Sequence, residues 1–532
     1  METNFNNIKN GIGAGLLIPE ISANNQSHEI GNAICNKTVS TDVGGEFTIS
    51  EHLPDIRKLI KVDVVPSVPV KFISGGGIQL NGGIDYIAVF LGTDGEIYSE
   101  AFPGEYSFNV PFDDISSKNE RLASAAVYPD SAVSRVSGAR RINIRCKLAA
   151  KTVVLGINNI DGGVSEPHEE HVQRLVKSTP YCTQLMDTRD DVELVDEIDL
   201  SEEGARYISS ECRVFVENSE SGDGYVDCRG YAMVKHFMCH SSGEPYLLTR
   251  KIPFSETVEL DKICALSPAC VSGVCTDISM GASSVDDIGE GKVNVTMRLC
   301  LQATAFNQSS IEYVKDVYST RKSCTVDTEA CRLPVLLACK NGNMTFDGCE
   351  ELAKIGVVEN GATVIDVSGS ARCENVYFEN NKYIINGKCR FGVVYYVQDI
   401  SDVAWAECEL PFRYEFEGKE GKISRCDCTV TAIDPRARCD GDKMQFDCEL
   451  AVSCYVVGEN DIELVSSVRM DGETKKRNCG FTVCYPDVGD SLWSVAKRYG
   501  APVNETAKGN GIECISAPDE IRLPDGIKYM IV

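Results

Sequence analysis

Arg141-Ile142-Asn143-Ile144-Arg145-Cys146-Lys147-Leu148 alternates polar and apolar side chains without a break. Successive side chains of an extended strand point to opposite faces, so this stretch reads as a β-strand with one buried face. The pattern returns in Lys292-Val293-Asn294-Val295-Thr296-Met297-Arg298-Leu299 and again in Lys443-Met444-Gln445-Phe446-Asp447-Cys448-Glu449-Leu450. The closing leucines are 151 residues apart each time. Cys146 and Cys448 stand in the column of Met297, which marks them as packing residues.

Upstream of each ladder lies an aliphatic-Pro-Phe triplet: Val110-Pro111-Phe112, Ile252-Pro253-Phe254 and Leu410-Pro411-Phe412. A proline has no N–H to donate, so each triplet is expected to end a strand. Before each triplet comes a strand led by a glycine, at Gly82, Gly230 and Gly387. The same order recurring three times predicts a mainly β chain built of three tandem antiparallel β-sandwich-like modules.

A chain of 532 residues is long enough for several domains, and a hydrophobic content of 43% supplies ordinary buried cores. The net charge of −27 disfavours nucleic acid, which is bound chiefly through Lys and Arg. No apolar stretch approaches the roughly 20 residues of a membrane helix, so no transmembrane segment is expected. METNFNNIKN lacks a basic head followed by an apolar core, so no secretory signal is expected there. The 25 cysteines fall below the density of disulfide-stapled domains and none lies between Cys35 and Cys146. No Cys-x-x-Cys pair occurs, and no structural metal is expected.

Near the C-terminus stands VGDSLWSVAKRYGAPVNETAKGNGI, residues 488–512. Asp490 or Ser491 is placed to cap a helix, Leu492, Val495, Ala496 and Tyr499 form one apolar stripe, and Gly500 stops it. Pro502 opens a second short helix ending near Gly509-Asn510-Gly511, with strands at Phe481-Thr482-Val483 and Ile527 to Val532 on either side. This βααβ order and the GDSLWSVAKRYG run resemble a LysM domain. The resemblance implies a groove for N-acetylglucosamine-containing glycans or a reused partner-binding surface. It would be formed by Gly489, Asp490, Ser491 and Leu492 on one side and Asn510, Gly511 and Ile512 on the other. Thr506 and Gly509 depart from the leucines usual in the second helix, and Asp525 and Ile527 disturb the usual turn before the last strand.

The repeated order of glycine strand, Pro-Phe and ladder resembles the SPOCS domain of clostridial spore-coat proteins. The first copy adds Glu46-Phe47-Thr48-Ile49 and Leu53-Pro54-Asp55-Ile56, typical of the opening of that family. Three such modules and one LysM domain are similar in order to the SipL-type coat morphogenetic proteins. The division expected is a flexible segment 1–34, modules at 35–175, 176–332 and 333–476, and a LysM domain at 477–532. The resemblance implies a mother-cell cytoplasmic location at the forespore surface, within the spore coat. It also implies docking of LysM to a coat basement-layer ATPase or other coat proteins.

Catalytic motifs are missing from the sequence. His168-Glu169-Glu170-His171 is not the His-Glu-x-x-His of zinc proteases, and it lies in an acidic connector. In His236-Phe237-Met238-Cys239-His240 an extended strand would point Cys239 away from both histidines. Gly75-Gly76-Gly77 reads as a turn, and no phosphate loop or dinucleotide fingerprint appears. The expectation is a non-enzymatic coat-assembly scaffold with no cofactor, catalytic residue or metal site. The alternative is a cell-envelope protein binding peptidoglycan through LysM.

Overall fold

A computed structural model of the chain describes residues 27–74, 76–112, 121–161, 171–200, 205–281, 284–285, 291–357, 362–397, 402–471, 482–487, 489–512, 519 and 530–531. Outside them lie residues 1–26 of the expected flexible segment, Gly75, His168, Phe481, Asp525 and Ile527.

The first unit contains β1 (Ser27–Thr48), β2 (Ile56–Pro66), β3 (Val70–Ser74), β4 (Gly77–Gly92), β5 (Ile97–Pro111), β6 (Arg121–Gly138) and β7 (Arg141–Asp161). They make two antiparallel sheets: β1-β7-β6, and a second in which β4 pairs with β2, β3 and β5. The second unit repeats this plan with β8 (Val172–Leu200), β9 (Arg206–Gly222), β10 (Tyr225–Cys239), β11 (Pro245–Glu259), β12 (Ala269–Met280), β13 (Ser284–Val285) and β14 (Gly291–Ser319). Its sheets are β8-β14-β12, with β13 added, and β9-β10-β11. The third has β15 (Ser323–Glu351), the helical turn α1 (Leu352–Ile355), β16 (Ala362–Glu379), β17 (Lys382–Val397), β18 (Asp402–Glu417), β19 (Ile423–Asp440) and β20 (Lys443–Asp471). Its sheets are β15-β20-β19 and β16-β17-β18. After it come β21 (Val483–Cys484), α2 (Leu492–Tyr499), α3 (Val503–Gly509) and β22 (Met530–Ile531), a small βααβ end.

Each ladder strand closes one sandwich. Ile142, Ile144, Cys146 and Leu148 of β7 pack against Ile78, Leu80, Tyr86 and Phe90 of β4 across the gap between sheets. Met297, Leu299 and Leu301 meet Val226, Ala232 and Val234 in the second unit, and Phe446, Cys448 and Leu450 meet Cys389, Phe391 and Val393 in the third. Burial pushes the Cys146 thiol up to about 12, which keeps it neutral and apolar in character.

Two sequence expectations are corrected. Pro111 is the last residue of β5, but Pro253 and Pro411 lie inside β11 and β18, paired opposite Tyr231 and Lys388. Both strands are sheet edges, the place in a sheet where a residue without an N–H is tolerated. The glycines do not lead their strands either: Gly82, Gly230 and Gly387 lie within β4, β10 and β17, directly opposite Tyr106, Phe254 and Phe412. A Cβ at Gly82 or Gly387 would strike that ring, and one at Gly230 or Gly387 would strike the carbonyl of Phe215 or Arg372 on the other neighbouring strand, so the missing side chain lets both neighbours approach. The structural equivalent of Phe254 and Phe412 is therefore Tyr106, and Val110-Pro111-Phe112 falls further along the chain.

The second halves of the ladders are buried on both faces, as in Ala149, Ala150, Thr152, Val153, Val154 and Leu155. One face stays in its own sandwich and the other meets the neighbouring units. Lys151, Gln302 and Ser453, at matching positions of β7, β14 and β20, line one small polar pocket. Their register partners Ala126, Ser272 and Thr429 line it as well. So do Val153, Thr304 and Tyr455 with their partners Ser124, Cys270 and Asp427. All twelve lining residues thus form four sets of three equivalents, which places the pocket on an approximate threefold axis. A second three-way contact joins Val89, Phe237 and Val394, again equivalent positions, in one apolar cluster with Ile60 and Ile208.

Candidate functional site

The LysM-like end is built as its sequence dictates. Ser491 caps α2, its hydroxyl accepting from the Ser494 N–H while the Ser494 hydroxyl accepts from the Ser491 N–H. Gly500 ends the helix in the left-handed conformation at φ 61°, and its N–H donates to the Ala496 and Lys497 carbonyls. Leu492, Val495 and Ala496 are buried, but Tyr499 is 37% exposed, so the stripe ends one turn earlier than its spacing implies. Thr506 is buried in α3 with its hydroxyl donating to the Pro502 carbonyl at 2.9 Å.

The seven groove residues fall into two sets. Gly489, Asp490, Asn510, Gly511 and Ile512 retain some exposure, whereas Ser491 and Leu492 are buried as cap and core. The Asp490 carboxylate accepts from the Asp487 N–H at 2.9 Å, from Arg498 at 2.8 Å and from the Ser494 hydroxyl at 3.3 Å. Burial raises its pKa, but these donors together outweigh that and hold it below the ordinary carboxylate value. The Asn510 amide donates to the Thr506 and Ile531 carbonyls, both at 2.7 Å, and its oxygen accepts from the Ile531 N–H at 2.9 Å. That side chain joins α3 to β22.

Sequence reasoning missed the surface on which this end sits. Trp493, only 5% exposed, packs with Leu175 of β8 and Tyr318 of β14 in one core with Leu492, Val495 and Met530. Its indole N–H donates to Asp316 Oδ2 at 2.8 Å, and Lys497 meets the same carboxylate at 2.7 Å. The Tyr318 hydroxyl donates to the Ala501 carbonyl, and Gln173 accepts from the Val503 N–H. Asp519 is held by Lys177 at 2.8 Å and Lys315 at 3.3 Å. The helical end thus lies on the tip of the β8-β14 pair, in the second unit, although it follows the third in sequence. The signal available was Trp493 itself, a large aromatic beside the predicted stripe that needs a partner.

His236 is fully buried, its Nε2 2.9 Å from Asp196 Oδ2 and its Nδ1 2.6 Å from the Ser210 hydroxyl. Arg250 donates to the other Asp196 oxygen at 3.0 Å. The group ties β8, β9 and β10 together across the two sheets of the second unit. His240 instead stacks on Tyr246 at 4.1 Å between ring centroids. Among the described residues no group of three or more His, Cys, Asp or Glu is arranged to hold a metal ion. Among them, too, no helix is long and apolar enough to cross a membrane.

Family models match two parts of the chain. The SipL, SPOCS domain model matches residues 362–453, which run from β16 into β20, and the LysM domain model matches residues 488–524. The SPOCS match falls on the third unit and starts beyond the point where the Leu-Pro-Asp opening would stand. No curated protein and no solved structure matches the chain. The chain therefore carries a SPOCS domain of the SipL type and a LysM domain, and is a LysM-bearing protein related to sporulation. Both domains are of binding or structural kinds rather than catalytic ones.

Proposed function

We propose that this chain is a non-enzymatic scaffold of the spore coat. In this reading its LysM domain docks to a coat basement-layer ATPase at the forespore surface, on the mother-cell side. The first and second units act as SPOCS-like modules beside the matched third. The observation that carries the reading is the shared core of Trp493, Leu175 and Tyr318. It fixes LysM on the β body, so a partner meets both in one preset orientation, and preset geometry lowers the cost of ordering on binding. The polar groups expected to hold a glycan point the same way, because Asp490 and Asn510 direct their hydrogen bonds inside the domain.

The LysM match favours a second reading, in which the exposed loops at Gly489 and Gly511 hold peptidoglycan. Titration of the full-length protein with the purified coat ATPase, and separately with chitin oligosaccharide and peptidoglycan fragments, separates the two. Binding to the ATPase that Asp490→Ala weakens at least tenfold, with no glycan heat, supports the scaffold. Micromolar glycan affinity together with no ATPase binding would promote the envelope reading.

A further inference from the structure

Cys270 of β12 and Cys339 of β15 belong to different units, and their sulfurs are 2.9 Å apart. Cys426 and Cys454, by contrast, stand at 3.8 Å, an ordinary contact. The pair sits in an apolar cluster with Cys182, Phe306, Leu336 and Tyr455, where the second and third units pack together. Cys270 is 4% exposed and its thiol also donates to the Cys454 carbonyl at 3.4 Å, whereas Cys339 is half-buried. Of the two residues, Cys339 is therefore the one nearer the surface. A bonded pair needs about 2.05 Å, so closing the gap takes a shift of under about 1 Å.

We propose that Cys270 and Cys339 are a modification site: a thiol pair that a low-molecular-weight disulfide converts into a covalent bond between the second and third units. The Cys339 thiolate attacks the reagent disulfide, whose sulfur-sulfur bond breaks and releases one thiol, leaving a mixed disulfide on Cys339. The Cys270 thiolate then attacks the Cys339 sulfur and expels the second reagent thiol. Two protein thiols lose two electrons and two protons, and the reagent disulfide is reduced to two free thiols. Cys426 and Cys454 remain reduced at that stage, because the 3.8 Å between their sulfurs leaves a wider gap to close.

The full-length protein, reduced and then freed of reductant, is treated under native conditions with oxidised glutathione, alkylated, and digested for non-reducing mass spectrometry. The expected first product has lost two thiols per chain and carries one linked peptide pair containing residues 270 and 339. Its thermal midpoint is raised relative to the reduced protein, and the rise is absent in Cys339→Ser. Cys270→Ser should behave alike. If that buried change prevents folding, the half-buried Cys339→Ser still gives the answer. The proposal is overturned if both thiols are alkylated in full after native oxidation, or if the first linked pair joins other cysteines. It is equally overturned if Cys339→Ser keeps the midpoint rise.

Discussion

Lys61 of the first unit and Asp366 of the third meet in a buried ion pair, Nζ to Oδ2 at 3.0 Å. They are equivalent positions: Lys61 pairs with Val89 on β4 as Asp366 pairs with Val394 on β17, and Ser209 holds the same place beside Phe237 on β10. One position repeated three times thus carries a cation, a hydroxyl and an anion, all buried. An exact repeat would bring three like groups together near the axis. The divergence of the copies makes a closed arrangement of three units possible. Asp63 shares the Lys61 ammonium at 3.1 Å.

Removing one partner of this pair should leave the other charge buried and alone. Lys61→Met is expected to lower unfolding stability by about 3–5 kcal/mol, and Lys61→Met with Asp366→Leu to recover most of that loss. Burial alone would lower the Lys61 pKa, but Asp366, Asp63 and Glu211 outweigh it and raise it. Burial alone would raise Asp366, but Lys61 and Lys235 outweigh it and hold it below the ordinary value. The Asp366 contribution is therefore present above about pH 3.9 and lost as pH falls through the folded value. The Lys61 contribution is present below about pH 10.4 and lost as pH rises through its folded value. Urea unfolding of the four variants of the cycle at pH 7 tests the pair, and a double variant no more stable than either single one would refute it.

His236 predicts a separate acid dependence. Burial lowers its pKa below the ordinary imidazole value, against the opposing pull of Asp196. Below about pH 6.5 the unfolded chain takes up a proton that the folded one refuses, so stability falls with pH down to the depressed folded value. The slope is limited to about 1.4 kcal/mol per pH unit from this one group. Thermal midpoints between pH 7 and 5 should show a shallower decline in His236→Gln than in the parent. Parallel declines would assign the acid sensitivity elsewhere.

The β class and the helical end were legible because each rests on local pattern. Alternation in Arg141 to Leu148 reports one buried face, and Ser491, Gly500 and the Leu492 stripe report a capped helix. The assembly of the units was not read, although part of its signal is in the sequence. After Leu148 the alternation gives way to Ala149-Ala150-Lys151-Thr152-Val153-Val154-Leu155, and comparable runs follow Leu299 and Leu450. A strand that changes from alternating to nearly continuous apolar residues has acquired a second buried face. What no local pattern encodes is which distant residues meet there. Asp316 has no feature in its own neighbourhood that points to Trp493, 177 residues away. The prolines misled for a related reason, since Pro253 and Pro411 look like strand ends and are tolerated only because β11 and β18 are edges.

Asp316 accepts both the Trp493 indole N–H and the Lys497 ammonium, so Asp316→Ala should loosen the helical end from the second unit. The expected loss is about 1.5–3 kcal/mol, the range for a hydrogen bond to a charged group. The two tryptophans make this measurable: Trp405 is 41% exposed, whereas Trp493 is almost fully covered. Emission should shift to the red in Asp316→Ala, and Trp493→Phe should abolish the shift. Unchanged emission would show that the apolar contact with Leu175 and Tyr318 holds the end without the carboxylate.

Asn510 and Asp490 flank the exposed loops of the helical end, and their hydrogen bonds imply different consequences. Asn510→Ala removes two donated bonds and one accepted bond, leaving the Ile531 N–H and carbonyl without that partner, and β22 should detach from α3. A loss of about 1–3 kcal/mol for each backbone group that stays desolvated makes this a folding defect of the end as a whole. Asp490→Ala leaves the Ser491 and Ser494 cap in place and leaves Arg498 paired with Asp487 at 3.5 Å, so its effect should stay at about 1 kcal/mol. Hydrogen exchange on the full-length protein separates the two: fast exchange of the Ile531 and Ile512 amides in Asn510→Ala, near-parent exchange in Asp490→Ala. If both variants exchange alike, the amide clip is not what holds the last strand. Binding lost in Asn510→Ala would then report contact with a partner rather than unfolding.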